Sequence, residues 1–168
     1  RTIGKKYGET GSWLLPTEIP ESVRDLEVLP STPEAVKTPL VFSALPKSEA
    51  ITIEPLFAKA GAAICTNAGA FREDPYTPIL LPEVNPEHTA LIHAQREKQG
   101  WDGFIVTNPN CTSTGMTVAL KALQNAFGVK RVFATSMQAI SGGGYPGVAS
   151  LDILGNVVPY IGGEEEKV

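Results

Sequence analysis

The sequence contains few cysteines, few basic residues and no long apolar run, and each scarcity excludes a class of protein. Cys65 and Cys111 are the two cysteines. They allow at most one disulfide and belong to no C-x-x-C or Cys/His cluster, which excludes a disulfide scaffold and a zinc site. No apolar run reaches the roughly 18 residues that a membrane-spanning helix needs. Lys and Arg number 14 against 18 Asp and Glu, without an aligned basic cluster, so we expect neither nucleic acid nor membrane as a partner.

The composition and the apolar runs indicate a folded α/β chain. Hydrophobic residues make up 42% of the sequence and charged residues 19%, which is typical of a folded domain. Apolar runs predict strands buried on both faces at residues 40–44, 62–65 and 103–107. Helical patterns lie between them at residues 48–60 and 86–99, the second with Asn85 as its N-cap. This alternation predicts a largely parallel sheet, in which ligands gather at the carboxyl ends of the strands.

The pattern continues after the third strand with one long helix. Apolar residues recur at helical spacing over residues 111–127, and Gly128 ends the run. Residues 129–137 are rich in β-branched and apolar side chains and predict a strand. Residues 141–147 contain too many glycines for regular structure and predict a loop. The Glu/Lys run at residues 164–167 predicts a solvated helix face.

Cys111 is the first candidate for chemistry. It follows the end of a predicted buried strand and lies in the first turn of the predicted 111–127 helix. Unsatisfied backbone N–H groups and the positive end of a helix favour a thiolate there, as in an activated nucleophile. From placement alone, a small residue used near a helix start is an equal alternative.

Two further features could bind a ligand. The glycine-rich loop at residues 141–147 would let a phosphate or a flat ring approach the backbone closely, and a flexible connection is the alternative. Arg72 follows a strand end, where its guanidinium could hold a phosphate or carboxylate, and a surface arginine is the alternative. His88 and His93 lie about 140° apart around one predicted helix, so they cannot share a ligand, and we expect both at the surface. No metal site is predicted.

Several separate strings of residues, ordered and correctly spaced, are shared with one enzyme family. They are TNPNCT (107–112), MQAISGGGYPGV (137–148), SLDIL (150–154) and EEEKV (164–168). Four more are GKKY (4–7), FSALP (42–46), LPEVN (81–85) and GWDGF (100–104). Together they resemble the aspartate-semialdehyde dehydrogenases, the last four the archaeal and fungal branch in particular. The likeness extends over essentially the whole chain.

The resemblance implies a fold, an activity and a cofactor. Residues 1–107 would be the later part of an NADP-binding, Rossmann-like domain, and residues 108–168 the beginning of an α+β catalytic and dimerisation domain. These enzymes interconvert aspartate 4-semialdehyde and 4-aspartyl phosphate through a cysteine acyl-thioester, using NADP and inorganic phosphate, in lysine, methionine and threonine biosynthesis. They are cytoplasmic homodimers or homotetramers. A glycine-rich pyrophosphate loop and the acid/base histidine would lie outside these residues, so we expect the chain alone to be inactive.

The resemblance also implies roles for individual residues. Cys111 matches the nucleophile, and Gln138 matches the glutamine that orients the substrate beside it. Asn110 would support the turn and the developing oxyanion, and Arg72 would bind phosphate or the phosphoryl group of the acyl phosphate. The cofactor contacts would be Arg1, Thr2, Ser43, Ala44, Leu45, Ser141 and Gly142. At the position expected to contact the 2′-phosphate, this chain has Thr2 where many relatives have Ser.

Three alternatives to this interpretation stay open. A reductase of N-acetylglutamyl phosphate shares the thiol chemistry, but its cysteine motif is usually N-P-G-C, and Asn110 occupies the glycine position here. A thiol acyltransferase or hydrolase without redox chemistry would need no nucleotide loop upstream. A noncatalytic fragment or assembly module is the third.

Overall fold

Three parallel strands form one sheet in the computed structural model, which describes residues 2–143 and 147–165. The strands are β1 Leu40–Ser43, β2 Ala63–Thr66 and β3 Phe104–Thr107, hydrogen-bonded in that order. Each strand begins at or within one residue of the predicted position. The predicted α/β fold with a parallel sheet is therefore confirmed.

Helix α1, Glu21–Arg24, lies in an irregular segment before the sheet. An isolated antiparallel bridge joins Lys6 to Glu27 there, and the Lys6 ammonium binds Asp25 at 3.2 Å. This hydrogen bond, assisted by the charge of Lys6, lowers the pKa of Asp25 below its usual value. Both side chains are exposed, so the pair contributes little to stability.

Helix α2, Lys47–Lys59, connects β1 to β2 and covers one face of the sheet. The core lies between this helix and the sheet and consists of Phe57, Ala58, Ala62, Ile64 and Ile105. Gly103 lets the chain before β3 approach the end of α2 and the start of β2, because a Cβ at this position would lie 2.7 Å from the Ala58 carbonyl oxygen and 2.1 Å from that of Ala62. The prediction that all strands are buried on both faces is wrong for β1, where Leu40 is 45% and Phe42 80% exposed.

Helix α3, Leu91–Gln99, protects the outer edge of β3. The buried Gln95 side chain accepts a hydrogen bond from the Ile105 N–H at 2.8 Å and donates one to the Ile105 carbonyl oxygen at 3.0 Å. It thereby replaces the hydrogen bonds that a neighbouring strand would make. A 3₁₀ helix, Pro86–Ala90, precedes α3, so the continuous helix predicted from residue 86 is wrong over its first turn. Asn85 bonds back to the loop, accepting from Leu81 N at 2.8 Å and donating to Ile79 O at 2.9 Å.

Helix α4, Cys111–Phe127, has the predicted bounds and ends at Gly128, whose φ is 73°. Its apolar residues are largely exposed, with Leu123 at 48% and Phe127 at 84%. Ser113 is the buried residue of the helix.

The strand predicted at residues 129–137 is wrong, since this described segment contains no regular structure. Phe133 and Met137 are each 90% exposed. A strand needs a neighbouring strand and a surface to pack on, and β1, β2 and β3 pair among themselves in another part of the chain.

The remaining described segment is mostly irregular. Part of the predicted glycine loop is a 3₁₀ helix, Ile140–Gly143, and residues 144–146 of that loop lie outside the described residues. Helix α5 is Ser150–Ile153. Glu164 lies in a bend and is hydrogen-bonded, so the solvated helix face predicted for this run is wrong at that residue. Within the described part of the chain, no helix has the length and apolar character needed to cross a membrane.

The chain separates into two compact units. One comprises Arg1–Pro78 and Thr89–Thr107, and the other Ile79–His88 and Asn108–Val168. The sheet and helices α1 to α3 belong to the first unit, and α4 and α5 to the second. The assignment of residues 1–107 and 108–168 to two functional domains stays a prediction.

Candidate active site

Cys111 is the first residue of α4 and is exposed to solvent. The preceding Asn110 is the N-cap, and its side-chain oxygen accepts the Ser113 N–H at 2.7 Å. This cap fixes the start of the helix at the cysteine. Because Cys111 is exposed, its sulfur is accessible to a substrate.

Gln138 comes to the same sulfur from a position 27 residues further along the chain. Its amide nitrogen donates to Cys111 Sγ at 3.7 Å, a distance suited to a sulfur acceptor. The backbone of Gly142 makes room for this side chain, because a Cβ there would lie 2.6 Å from Gln138 Nε2. The structure thus brings together four of the predicted site residues, Asn110, Cys111, Gln138 and Gly142, and the exposed Ser141 precedes Gly142 in the chain.

Glu164 is a residue of this site that the sequence does not predict. Its carboxylate accepts hydrogen bonds from Asn110 Nδ2 at 3.1 Å and from Thr112 Oγ1 at 2.9 Å. These two donors flank Cys111 in the sequence. The EEEKV string contains the residue, but a run of charges is more typical of solvated surface than of a site.

The predicted adenosine contacts lie at the carboxyl end of β1. Ser43 is buried and its hydroxyl donates to Glu54 Oε1 at 2.6 Å, while Ala44 is exposed and Leu45 half-buried. A cavity of about 450 Å³ runs along β1, lined by these residues and by apolar groups that include Phe57. Thr2 is half-buried, and Arg1 lies outside the described residues.

Residues 43–45 fit the adenosine portion of a dinucleotide. The cavity beside them has apolar walls suited to a purine ring, at the strand end where such rings bind. The buried Ser43 hydroxyl is engaged by Glu54, so the backbone and the side chains that follow it are what a ligand could contact. No glycine-rich pyrophosphate loop precedes a strand among the described residues.

Arg72 follows a 3₁₀ helix, Gly69–Phe71, in the segment after β2. Its guanidinium donates to the Asn67 carbonyl at 3.0 Å and is half-buried. This bond orients the planar guanidinium, a group whose shape and charge suit an oxyanion. Arg72 and the β1 end belong to the first compact unit, whereas Cys111 and Gln138 belong to the second.

His88 and His93 are both exposed, as predicted. In residues 2–143 and 147–165, no group of three His, Cys, Asp or Glu side chains is arranged to hold a metal ion. Cys65 is half-buried on β2, and both cysteines are free thiols.

The chain is similar to known family domains and to individual relatives. Residues 1–92 match the family domain described as semialdehyde dehydrogenase, NAD binding domain, and residues 120–168 match its dimerisation domain. An aspartate-semialdehyde dehydrogenase from Methanothermobacter thermautotrophicus is 51% identical over all of this chain, which spans 48% of that protein. A malonyl-CoA reductase (NADP) from Metallosphaera sedula is 40% identical over 99% of this chain and 47% of its own length.

A solved structure agrees with these relatives. The crystal structure of aspartate-semialdehyde dehydrogenase with NADP from Candida albicans matches with a TM-score of 0.79 and 38% identity. The match covers 99% of this chain and 48% of that one, so the chain spans about half the length of the proteins it resembles. The domain matches, which together include more than half of the residues, show that the chain belongs to the semialdehyde dehydrogenase family.

Proposed function

We propose that the complete protein is an NADP-dependent, phosphorylating aspartate-semialdehyde dehydrogenase. The observation that carries this proposal is the contact of 3.7 Å between the Gln138 amide nitrogen and the Cys111 sulfur at the start of α4. A thiol nucleophile at a helix N-terminus, beside an amide donor, suits acyl-thioester chemistry. Similarity over the whole chain to enzymes of this name supports the same substrate.

In the biosynthetic direction, the Cys111 thiolate attacks the acyl carbon of 4-aspartyl phosphate. A C–S bond forms, and the C–O bond to the phosphoryl group breaks. Inorganic phosphate leaves with that electron pair. The Gln138 amide and the N–H groups at the start of α4 stabilise the negative charge that develops on the carbonyl oxygen. When bound, NADPH supplies the hydride that reduces the thioester, and the Cys111 thiolate leaves as the aldehyde forms.

The remaining roles are the ones that the family resemblance implies. Asn110 holds the turn before the nucleophile through its bond to Ser113. Residues 43–45 would contact the adenosine portion of NADP, and Thr2 would contact its 2′-phosphate. Ser141 and Gly142 would contact the nicotinamide end. Arg1 would assist Thr2, but it lies outside the described residues.

Glu164 favours an amino-acid substrate. Its carboxylate is bonded to the two neighbours of Cys111, close to where a reacting acyl group would lie. 4-Aspartyl phosphate and aspartate semialdehyde each carry an α-ammonium group that a carboxylate can bind. Malonyl-CoA carries no ammonium group, so it would leave the charge of Glu164 without a partner in the substrate.

Reduction of malonyl-CoA is the second candidate function. It uses the same thioester chemistry, and the similarity to the Metallosphaera sedula reductase supports it. The complete protein should be assayed for NADPH oxidation with 4-aspartyl phosphate, malonyl-CoA and N-acetylglutamyl phosphate, and for phosphate-dependent NADP reduction with aspartate semialdehyde. We expect turnover with the aspartyl substrates. Turnover with either of the other two acyl donors alone would reject the proposal, as would thioester hydrolysis without any use of NADP.

Arg72→Ala is expected to weaken phosphate binding rather than the chemical step. Loss of hydrogen bonds between a charged donor and an oxyanion corresponds to roughly 10- to 100-fold in the phosphate KM. Arg72→Lys keeps the positive charge but not the planar guanidinium, so its phosphate KM should lie between those of the wild type and Arg72→Ala. Steady-state kinetics with varied phosphate measures this, and an unchanged phosphate KM in Arg72→Ala would show that Arg72 has no such role.

The partners would be the small-molecule substrates and a second copy of the protein. Residues 120–168 match a dimerisation domain, and the exposed apolar side chains of Leu123 and Phe127 suit burial in an assembly. We assign a homodimer or homotetramer. A cytoplasmic location is consistent with the free thiols of Cys65 and Cys111, because a catalytic thiol must stay reduced.

A further inference from the structure

A row of hydroxyl side chains crosses the carboxyl end of the sheet. Ser43, Thr66 and Thr107 are the last residues of β1, β2 and β3, and the register pairs them directly across the strands. Their exposed fractions are 9%, 3% and 1%. Buried hydroxyl groups need partners, so this row has to be satisfied from within the protein.

Glu54 on α2 satisfies two members of the row. One oxygen, Oε1, accepts from Ser43 Oγ at 2.6 Å and from Thr66 Oγ1 at 2.5 Å. The side chain is 2% exposed, and its other oxygen has no hydrogen-bond partner among the described residues. A buried carboxylate with one unpaired oxygen costs more free energy than an apolar side chain would. Its presence therefore indicates a role other than stabilising the core.

The hydrogen-bond network around Glu54 extends into two loops that contain predicted site residues. Thr66 Oγ1 accepts the Ala68 N–H at 3.0 Å, and Thr107 Oγ1 donates to the Ala68 carbonyl at 3.3 Å. The Asn67 N–H donates to the Ser43 carbonyl at 2.8 Å, and the Asn67 carbonyl accepts from Arg72. Ser43 leads directly into Ala44 and Leu45. Glu54 is thus bonded to Ser43 and Thr66, the last residues of the two strands from which these loops continue.

We propose that Glu54 is a positioning residue that holds the adenosine loop (residues 43–45) and the phosphate loop (residues 67–72) in one geometry. It acts through the hydroxyls of Ser43 and Thr66 and need not touch either ligand. This inference rests on the proposed function for the identity of the two ligands. If it is correct, the single buried side chain of Glu54 couples the affinity for the cofactor to the affinity for phosphate.

The test is Glu54→Ala in the complete protein, with NADP affinity measured by calorimetry and the phosphate KM by kinetics. Two buried hydrogen bonds to Glu54 are lost, so we expect NADP to bind about tenfold more weakly and the phosphate KM to rise about as much. The kcat at saturation should stay within about threefold, because the residues around Cys111 are unchanged. Glu54→Gln keeps an oxygen that accepts both hydroxyls, and it should restore most of both affinities.

Gln95→Leu is the matched control. Gln95 is also a fully buried polar residue, but it binds β3 at the opposite edge of the sheet from β1. We expect this variant to lower the melting temperature and leave both affinities unchanged. If Glu54→Ala fails to fold, Ser43→Ala is the second variant. It removes one of the two bonds to Glu54 without changing any side chain of the phosphate loop, and it should still raise the phosphate KM.

The outcomes separate this inference from the proposed function. If Glu54→Ala, or Ser43→Ala in its place, changes only the melting temperature, as Gln95→Leu does, Glu54 is structural and the inference is wrong, whatever the enzyme's activity. If the wild-type protein binds NADP but does not use aspartyl substrates, the proposed function is wrong and the calorimetric series still decides the role of Glu54. If the wild-type protein does not bind NADP, both are wrong.

Discussion

Cys111→Ser in the complete protein is expected to abolish phosphate-dependent NADP reduction. The hydroxyl is a far weaker nucleophile than a thiolate and a poorer leaving group from the acyl-enzyme, so both half-reactions lose their chemistry. A loss of about 10⁴-fold or more in kcat is the scale found when a covalent nucleophile is removed. NADP affinity should stay within about twofold, because Cys111 is exposed and one atom is replaced by a smaller one.

The other thiol provides the control for this experiment. Cys65 is half-buried on β2, in the sheet rather than at a helix start. Cys65→Ala should keep near-wild-type turnover, and mass-spectrometric mapping of alkylation in the wild type should show that Cys111 reacts first. Near-wild-type turnover by Cys111→Ser would reject the assignment of the nucleophile. Loss of turnover in a Cys65→Ala variant of normal stability would also reject it.

Gln138→Ala is expected to reduce kcat by about two orders of magnitude. The amide that lies 3.7 Å from the sulfur would be lost, and with it the orientation of the acyl group and part of the oxyanion stabilisation. The phosphate KM should change little, because the proposed phosphate ligand is Arg72. A variant in which the phosphate KM alone changes would contradict an orienting role for Gln138.

A pair of glycine substitutions tests the same contact without removing the amide. In Gly142→Ala the new methyl group would lie 2.6 Å from Gln138 Nε2, so the side chain has to move away from its present position. We expect an intermediate loss of kcat. Gly115→Ala on α4 is the control, because a Cβ there meets nothing within 4 Å and alanine favours a helix. Equal kinetics for both variants would show that the present position of Gln138 is not required.

Local sequence signals are sufficient to predict the three strands and helix α4. Residues 111–127 are predicted as a helix with its observed ends, because the apolar spacing and a terminal glycine agree there. The strands β1 to β3 are recognisable because their apolar runs are short and bounded by turn residues. The predicted start of α3 is misplaced, because Pro86 is equally compatible with a 3₁₀ helix, in which Pro86–Ala90 are found.

The wrong predictions fall where the structure depends on partners distant in sequence. Residues 129–137 have the composition of a strand, but strand formation requires a neighbouring strand, and none of the described residues supplies one. The burial of β1 is overestimated for a similar reason, since exposure of Phe42 depends on what covers that face of the sheet. Glu164 is misassigned to solvent because a charge run says nothing about a helix start more than 50 residues away.

The sequence by itself determined the family, the parallel α/β order and the place of Cys111 at a helix start, because these depend on short-range patterns and on strings shared with relatives. Only the tertiary structure decided that Gln138 meets that sulfur, that Glu164 bonds to both neighbours of Cys111, and that Glu54 joins the ends of β1 and β2. Each of these contacts joins residues far apart in the chain. Side-chain contacts of that kind depend on how the elements pack, which the periodicity of a sequence does not encode.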